Sequence, residues 1–284
     1  MAGASMKDIK LRIKSVESTM QTTKAMELVA SSKLRRAKER VEQSRPFFHI
    51  LMDTLGDIAR TNTDFSSPYT VSREVKRTCY IVIGGDRGMA GGYNANIFKA
   101  VTAHSAGKEI VVLPIGKKTV DFFTRKEKEI LTRDYAIAAD TSVSDCYAMA
   151  DLLTKKYLLQ EFDEVYVCYT VFVSMLTQTP KIQKILPLVH EEQDAGSESA
   201  KEQILYEPDT ETVYNSIVPG YIAGVIYSAL CESVASEQGA RRTAMDAASK
   251  NAAEMIEDLS LRYNRARQGA ITQEITEIVA GAEH

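Results

Sequence analysis

IKLRIKSVESTMQTTKAMELVASSKLRRAKERVEQSRPFFHILMDTLGDI, residues 9–58, carries the pattern that decides the fold. Alternating steps of four and three from Ile9 pass through Ile13, Val16, Met20, Thr23, Glu27, Ala30, Leu34, Ala37, Val41, Ser44, Phe48, Leu51, Leu55 and Ile58. Twelve of these fifteen residues are apolar. A period of about 3.5 sustained over seven heptads predicts a long helix in a left-handed coiled coil, not a helix that caps a globular core. Pro46 removes one helical hydrogen bond and predicts a kink or break there. Thr23 and Glu27 are polar residues on the seam, within the string 21–27; they cost coiled-coil stability, and such a cost often marks function.

The other end of the chain repeats the pattern. Met245, Ala248, Ala252, Met255, Leu259, Tyr263, Ala266 and Ala270 recur at steps of three and four. Residues 221–280 contain no proline, and about 60 residues of helix span roughly 90 Å, more than the width of an ordinary domain. Ala240, Ala244, Ala247, Ala248, Ala252 and Ala253 allow a partner helix to come close, although good helix formers alone also explain them. The reading is a long antiparallel coiled coil of the N-terminal helix (1–60) and the C-terminal helix (210–284).

Between these helices the pattern changes to α/β over residues 73–207. The runs 78–83 (TCYIVI), 110–115 (IVVLPI) and 165–173 (VYVCYTVFV) are β-branched and aromatic, and helical stretches at 95–103 and 143–160 separate them. This order predicts a Rossmann-like domain with a mainly parallel sheet, covered on both faces. Loops are expected at 61–72 and at the polar segment 191–203.

Composition excludes several functions. With 35 Lys+Arg against 38 Asp+Glu, the formal net charge of -3 gives no global reason to expect nucleic acid or lipid as partner. Residues 1–45 nevertheless hold a surplus of +6, residues 236–284 carry -2, and the middle -7. Cys79, Cys146, Cys168 and Cys231 show no CxxC spacing, which fits a reducing compartment. No uninterrupted apolar run is long enough to span a bilayer, and no secretory or transit signal opens the chain, so membrane association is expected only through another protein. His49, His104, His190 and His284 are scattered, and no GxSxG elbow occurs. There is no tryptophan, and the 13 tyrosines form no cluster for stacking bases.

Two glycine-containing strings lie where phosphate loops sit. Residues 84–94 (GGDRGMAGGYN) follow a strand, but the spacing is not GxGxxG, and Asp86 and Arg87 are expected to pair locally in a structural turn. Gly116, Lys117, Lys118 and Thr119 look like the tail of a P-loop, but Val111 stands where its first glycine is required. No cofactor, metal or catalytic residue is expected. The basic cluster Lys33, Arg35, Arg36, Lys38 and Arg40 is either a solvated flank or a contact to an acidic partner.

Ile271, Thr272, Glu274, Glu277, Gly281 and Ala282 match, at fixed spacing, the C-terminal Ile-Thr-x-Glu-x-x-Glu-x-x-x-Gly-Ala signature of the F-type ATP synthase gamma subunit family. The chain resembles that family throughout, including the approach 263–268, the strings 236–238 and 242–245, and the N-terminal helix over 9–38. Gly85, Met89 and Ala90 depart from its Ser-Asp-Arg-Gly-Leu-Cys-Gly-Gly string. The resemblance implies a rotating shaft within an alpha3-beta3 ring, with a foot on the c-ring of Fo and on epsilon, delta indirectly engaged, and catalytic groups on other subunits. It further implies that Met26, Arg267, Gln268 and Thr272 contact the catch loop of beta, and that the basic cluster faces an acidic lever of beta. Residues 205–209 match the junction where epsilon docks, which makes Tyr206 a contact to epsilon or the c-ring; the same residues also read as a turn and helix start. No chloroplast-type regulatory insertion is found, and a bacterial enzyme on the cytoplasmic face of the cell membrane is expected. Two other classes remain: an α/β nucleotide enzyme with helical arms, and a coiled-coil scaffold.

Overall fold

A computed structural model of the chain describes residues 6–61, 66–188 and 206–282. Two compact units are present: Met1–Ser31 with Arg241–His284, and Ser32–Ala240. The division cuts both long helices, α1 (Met6–Thr61) and α5 (Thr210–Ala282), and does not fall at their ends. Helix α1 continues through Pro46, so the break that was one of the two expectations there does not occur; Glu42, whose carbonyl loses its helical donor to the proline, is exposed and can turn to water. Helix α5 also runs through Pro219 and is therefore longer than the proline-free stretch suggests.

The larger unit is built on a five-stranded sheet: β1 (Arg77–Ile83), β2 (Glu109–Ile115), β3 (Glu129–Ile130), β4 (Glu164–Phe172) and β5 (Gln178–Leu186), in the order β3-β2-β1-β4-β5. All neighbours are parallel except β4 and β5. Helices α2 (Tyr93–His104), α3 (Lys117–Arg125) and α4 (Val143–Leu158) complete the unit. Strand β1 is buried on both faces, as its continuous apolar run requires. Cys79, Ile81 and Ile83 join Met149 and Leu153 of α4 and Val218, Ile222 and Ile226 of α5 in one core, while Tyr80 and Val82 join Ile97 and Phe98 of α2 and Phe123 of α3 in another. The doubly covered, mainly parallel sheet matches the expected fold class. Strand β5 was not foreseen. Its sequence QTPKIQKIL holds Pro180, which an edge strand tolerates.

Caps mark the helix starts. The Ser142 hydroxyl accepts from the Asp145 N–H at 3.2 Å, and Asp145 accepts from the Ser142 N–H at 2.8 Å, a reciprocal box opening α4. Ser142→Ala is expected to cost about 1 kcal/mol in a urea denaturation of the full chain. At the start of α5, Asp209 accepts from the Thr212 N–H and hydroxyl, both at 2.8 Å, and these bonds hold its carboxyl below the usual range. An 18-residue window of α5 has mean hydropathy 1.4, apolar and long enough to cross a bilayer although no uninterrupted apolar run was found in the sequence. Core packing accounts for it: 56% of the window is buried, and Tyr214, Val218, Ile222, Ala223, Ile226, Ala229 and Leu230 belong to the main core.

Candidate partner-binding surfaces

In the smaller unit, α1 and α5 pair along the expected seam. Ile9, Ile13, Val16, Met20 and Thr23 are half-buried, and Glu27 and Ala30 are buried. On α5 the seam is Met245, Ala252, Ile256, Leu259, Tyr263 and Ala266. Met255, expected there, is exposed, because the steps of four and three after Ala252 lead to Ile256 and then Leu259. The two polar seam residues are both satisfied: the Thr23 and Ser249 hydroxyls lie 2.7 Å apart, and Lys24 Nζ donates to Glu27 at 2.8 Å.

The Thr23–Ser249 contact also sets register and direction. Seventeen residues back from Thr23 is Met6, where α1 begins; seventeen on from Ser249 is Ala266, the last half-buried residue of α5. Every residue at 267–281 is exposed. The helices are therefore antiparallel, and α5 outruns α1. Ala270, another expected seam position, lies in this unpaired part and is exposed.

This register separates the residues carried over as a single catch site. Arg267, Gln268 and Thr272 are exposed on the unpaired end, where the Thr272 hydroxyl donates to the Gln268 carbonyl at 2.9 Å. Met26 is half-buried and level with Asp246, some twenty residues and roughly 30 Å away along the axis. The structure brings Arg267, Gln268 and Thr272 together and leaves Met26 apart. The unpaired end also carries an apolar stripe, Ile271, Ile275, Ile278 and Val279, between 47% and 66% exposed. The sequence reading missed it, although the spacing of four, three and one is a helical face.

In the larger unit, Lys33, Arg35, Arg36, Lys38 and Arg40 are exposed, while Leu34, Ala37 and Val41 of the same turns are buried. Lys38 Nζ lies 4.4 Å from the centre of the Phe172 ring. Tyr206 is half-buried and packs against the main core, so its ring contributes to stability whatever else it contacts. Leu205 and the loop 191–203 lie outside the described residues.

The loop 84–94 is interlocked with the start of α3. Asp86 does not pair with Arg87 as expected; its carboxylate accepts from the N–H groups of Ala138 at 2.8 Å, Ala139 at 3.2 Å and Lys117 at 3.3 Å. The backbone donors, at the first residue of α3 and at 138–139, outcompete an exposed guanidinium because they are fixed in place. The anion that this helix terminus attracts is the chain's own Asp86. Gly116 stands at φ +96°, and a Cβ there would lie 2.2 Å from the Gly84 carbonyl oxygen. Among the described residues no group of His, Cys, Asp or Glu could hold a metal ion.

The fold is shared with a rotor chain of the Euglena gracilis mitochondrial ATP synthase, rotational state 1, at a TM-score of 0.64 and 18% identity, covering 94% of this chain and 98% of that one. Two long helices bracketing a Rossmann-like sheet are the fold the two chains have in common. A family described as ATP synthase matches residues 5–284. The ATP synthase gamma chain of Alkaliphilus metalliredigens is 46% identical over 99% of each chain, and that of Ruminococcus albus 47% identical over 97% of this chain and 96% of the other. The chain belongs to the ATP synthase gamma chain family.

Proposed function

We propose that this chain is the central shaft of an ATP synthase, carrying torque between an ion-driven c-ring and a ring of three alpha and three beta subunits. The observation that carries the reading is α5, a single helix of 73 residues and roughly 110 Å. Its first part belongs to the core of the α/β unit, and residues 245–266 belong to the helix pair. A continuous helix is an element along which torque can pass. The family membership supports the same role.

The chain is non-catalytic, and the groups that make and break ATP lie on beta. Its part is to be asymmetric: as the shaft turns, each beta meets a different face, and contacts formed at one angle and lost at another drive the sites through states that bind, make and release ATP. Arg267, Gln268 and Thr272 make one such contact, with the catch loop of beta, and Met26 a separate one lower on the pair. Lys33, Arg35, Arg36, Lys38 and Arg40 face an acidic lever of beta, and Tyr206 stands at the docking site of epsilon and the c-ring. Delta is engaged only indirectly, and the membrane only through Fo, on the cytoplasmic face of a bacterial cell membrane.

The test is purification of the tagged chain from its own membranes in detergent, with the mass of the assembly and its ATP hydrolysis measured. One copy with three alpha and three beta, active only when assembled, is the expected result; nucleotide hydrolysis by the lone chain would overturn it. For the catch contact, Arg267→Ala with Gln268→Ala is expected to lower hydrolysis by the complex about tenfold, the equivalent of roughly 1.4 kcal/mol. Unchanged hydrolysis would remove the catch assignment.

A further inference from the structure

His104, the last residue of α2, closes a group of polar and aromatic side chains on one face of the sheet. Tyr80 of β1 is fully buried, and its hydroxyl lies 2.8 Å from His104 Nδ1. The Tyr80 ring stacks on Tyr166 of β4 with centres 5.4 Å apart, and the His104 ring is steeply inclined to both, at 5.7 Å and 4.9 Å. The rim of the group is charged. Lys108, between α2 and β2, holds its Nζ 5.6 Å from the centre of the Tyr166 ring. Glu164 of β4 accepts from the Tyr166 hydroxyl at 3.3 Å and pairs with Lys184 of β5 at 2.5 Å.

The hydrogen bond between Tyr80 and His104 satisfies both partners in one polarity only. Burial raises the Tyr80 phenol above its ordinary range, so it keeps its proton, and water does not reach a residue with 0% exposure. Among the described residues its hydroxyl has no hydrogen-bond partner other than His104, so the phenol proton must point at Nδ1. The imidazole is then neutral, with its own proton on Nε2, and His104 is exposed enough for that N–H to meet water. A second proton, on Nδ1, turns the imidazole from acceptor to donor and strands the Tyr80 proton in the interior. Glu164 offers little relief, because Lys184 and Tyr166 already engage it. Desolvation first, and then Lys108, hold the His104 pKa below its ordinary value of 6.5, against an opposing pull from Glu164.

We propose that the Tyr80–His104 hydrogen bond is an acid-released latch: protonation swings the imidazole out to water and frees the C-terminal turn of α2 from β1 and β4. The outward movement is open to an exposed ring, and an imidazolium at a helix C-terminus gains from the helix dipole. Release stays local, because Ile97, Phe98 and Val101 hold the earlier turns of α2 in the core. Since the folded chain disfavours the proton, the unfolded chain binds more of it. The stability that the latch confers is therefore complete above the ordinary histidine value of 6.5 and is lost as the pH falls through it towards the lower folded value.

The test is histidine NMR of the full chain, combined with hydrogen exchange. The His104 signal, identified by its disappearance in His104→Asn, is expected to titrate below 6.5. In Tyr80→Phe, which keeps the ring and removes the hydroxyl, it is expected to move back up. The Ser105 and Ala106 amides are bonded to the Val101 and Ala103 carbonyls. Their exchange, corrected for its intrinsic pH dependence, is expected to quicken about fivefold from about pH 7.5 to about pH 5.5. In His104→Asn, whose side-chain oxygen accepts the phenol proton at either pH, the change is expected to stay below about twofold. A titration unmoved by Tyr80→Phe but moved by Lys108→Gln would overturn the latch and leave Lys108 as the cause of the shift. Acid loosening that persists in His104→Asn would overturn it as well, and that comparison decides if Tyr80→Phe does not fold.

Discussion

Gly116→Ala destabilises the α/β unit by about 3 kcal/mol or more, enough to prevent assembly with partner subunits. Two costs add at this position. The backbone sits at φ +96°, a region that a residue with a Cβ enters only under strain, and the new methyl would meet the Gly84 carbonyl oxygen at 2.2 Å and its carbon at 2.9 Å. Neither neighbour can easily yield. The Gly84 N–H donates to the Ile115 carbonyl at 2.9 Å, and the Gly116 N–H to the Tyr135 carbonyl at 3.1 Å. Urea denaturation of the full chain reads the loss. Gly88→Ala is the control, since a Cβ there has nothing within 4 Å and its φ is unexceptional, and it is expected to change stability by less than about 0.5 kcal/mol. Equal losses from the two variants would show that the close approach of the loops is not what requires glycine.

The second large effect concerns the join between helix and sheet. The Thr170 N–H donates to Ser233 Oγ at 3.1 Å, and Ser236 Oγ donates to the Thr170 carbonyl at 2.8 Å; Ser233, Ser236 and Thr170 are all buried. Pairing of β4 with β1 ends at Cys168, so beyond it the strand has no neighbour on that side, and α5 supplies the missing partners. Because both backbone groups of Thr170 point to the helix, its pairing with Pro180 on β5 is of the type that exchanges no hydrogen bonds, and the absent N–H of proline costs the ladder nothing there. Replacing both serines by alanine leaves a buried N–H and a buried carbonyl unpaired. The expected cost is about 2–5 kcal/mol, read by denaturation. Ser216→Ala, whose hydroxyl bonds only its own helix at an exposed position, is expected to cost under about 0.5 kcal/mol. A double variant as stable as that control would mean that water replaces the hydroxyls.

Most of the architecture was legible because it rests on period. The heptad of α1 places its less exposed residues where counting from Ile9 put them, and the three apolar runs became β1, β2 and β4 with ends shifted by one residue. What failed to show was short, edge-bound or made by a single contact. Strand β5 reads as polar because one of its edges is open, β3 has two residues, and α3 was hidden behind the glycine and lysines that open it. The partners of Asp86 are backbone groups 31 to 53 residues away, which no local pattern announces. For the candidate surfaces, residue type pointed to the cations of α1 and the signature of α5. The distance from Met26 to Arg267 depends on the register of the helix pair.

The unpaired end of α5 has a consequence for symmetry. From Ala266 to Ala282 a lone helix extends for roughly 24 Å, and a lone helix is nearly round in section, about 10–12 Å across. Two helices side by side are oblong. Within a surrounding collar the round backbone of the tip would present almost the same profile at every angle, so any signal of orientation there would rest on individual side chains such as Arg267, Gln268 and Thr272. The paired region sweeps an eccentric path. The oblong profile begins where α1 does, at Met6, and the round one lies beyond it.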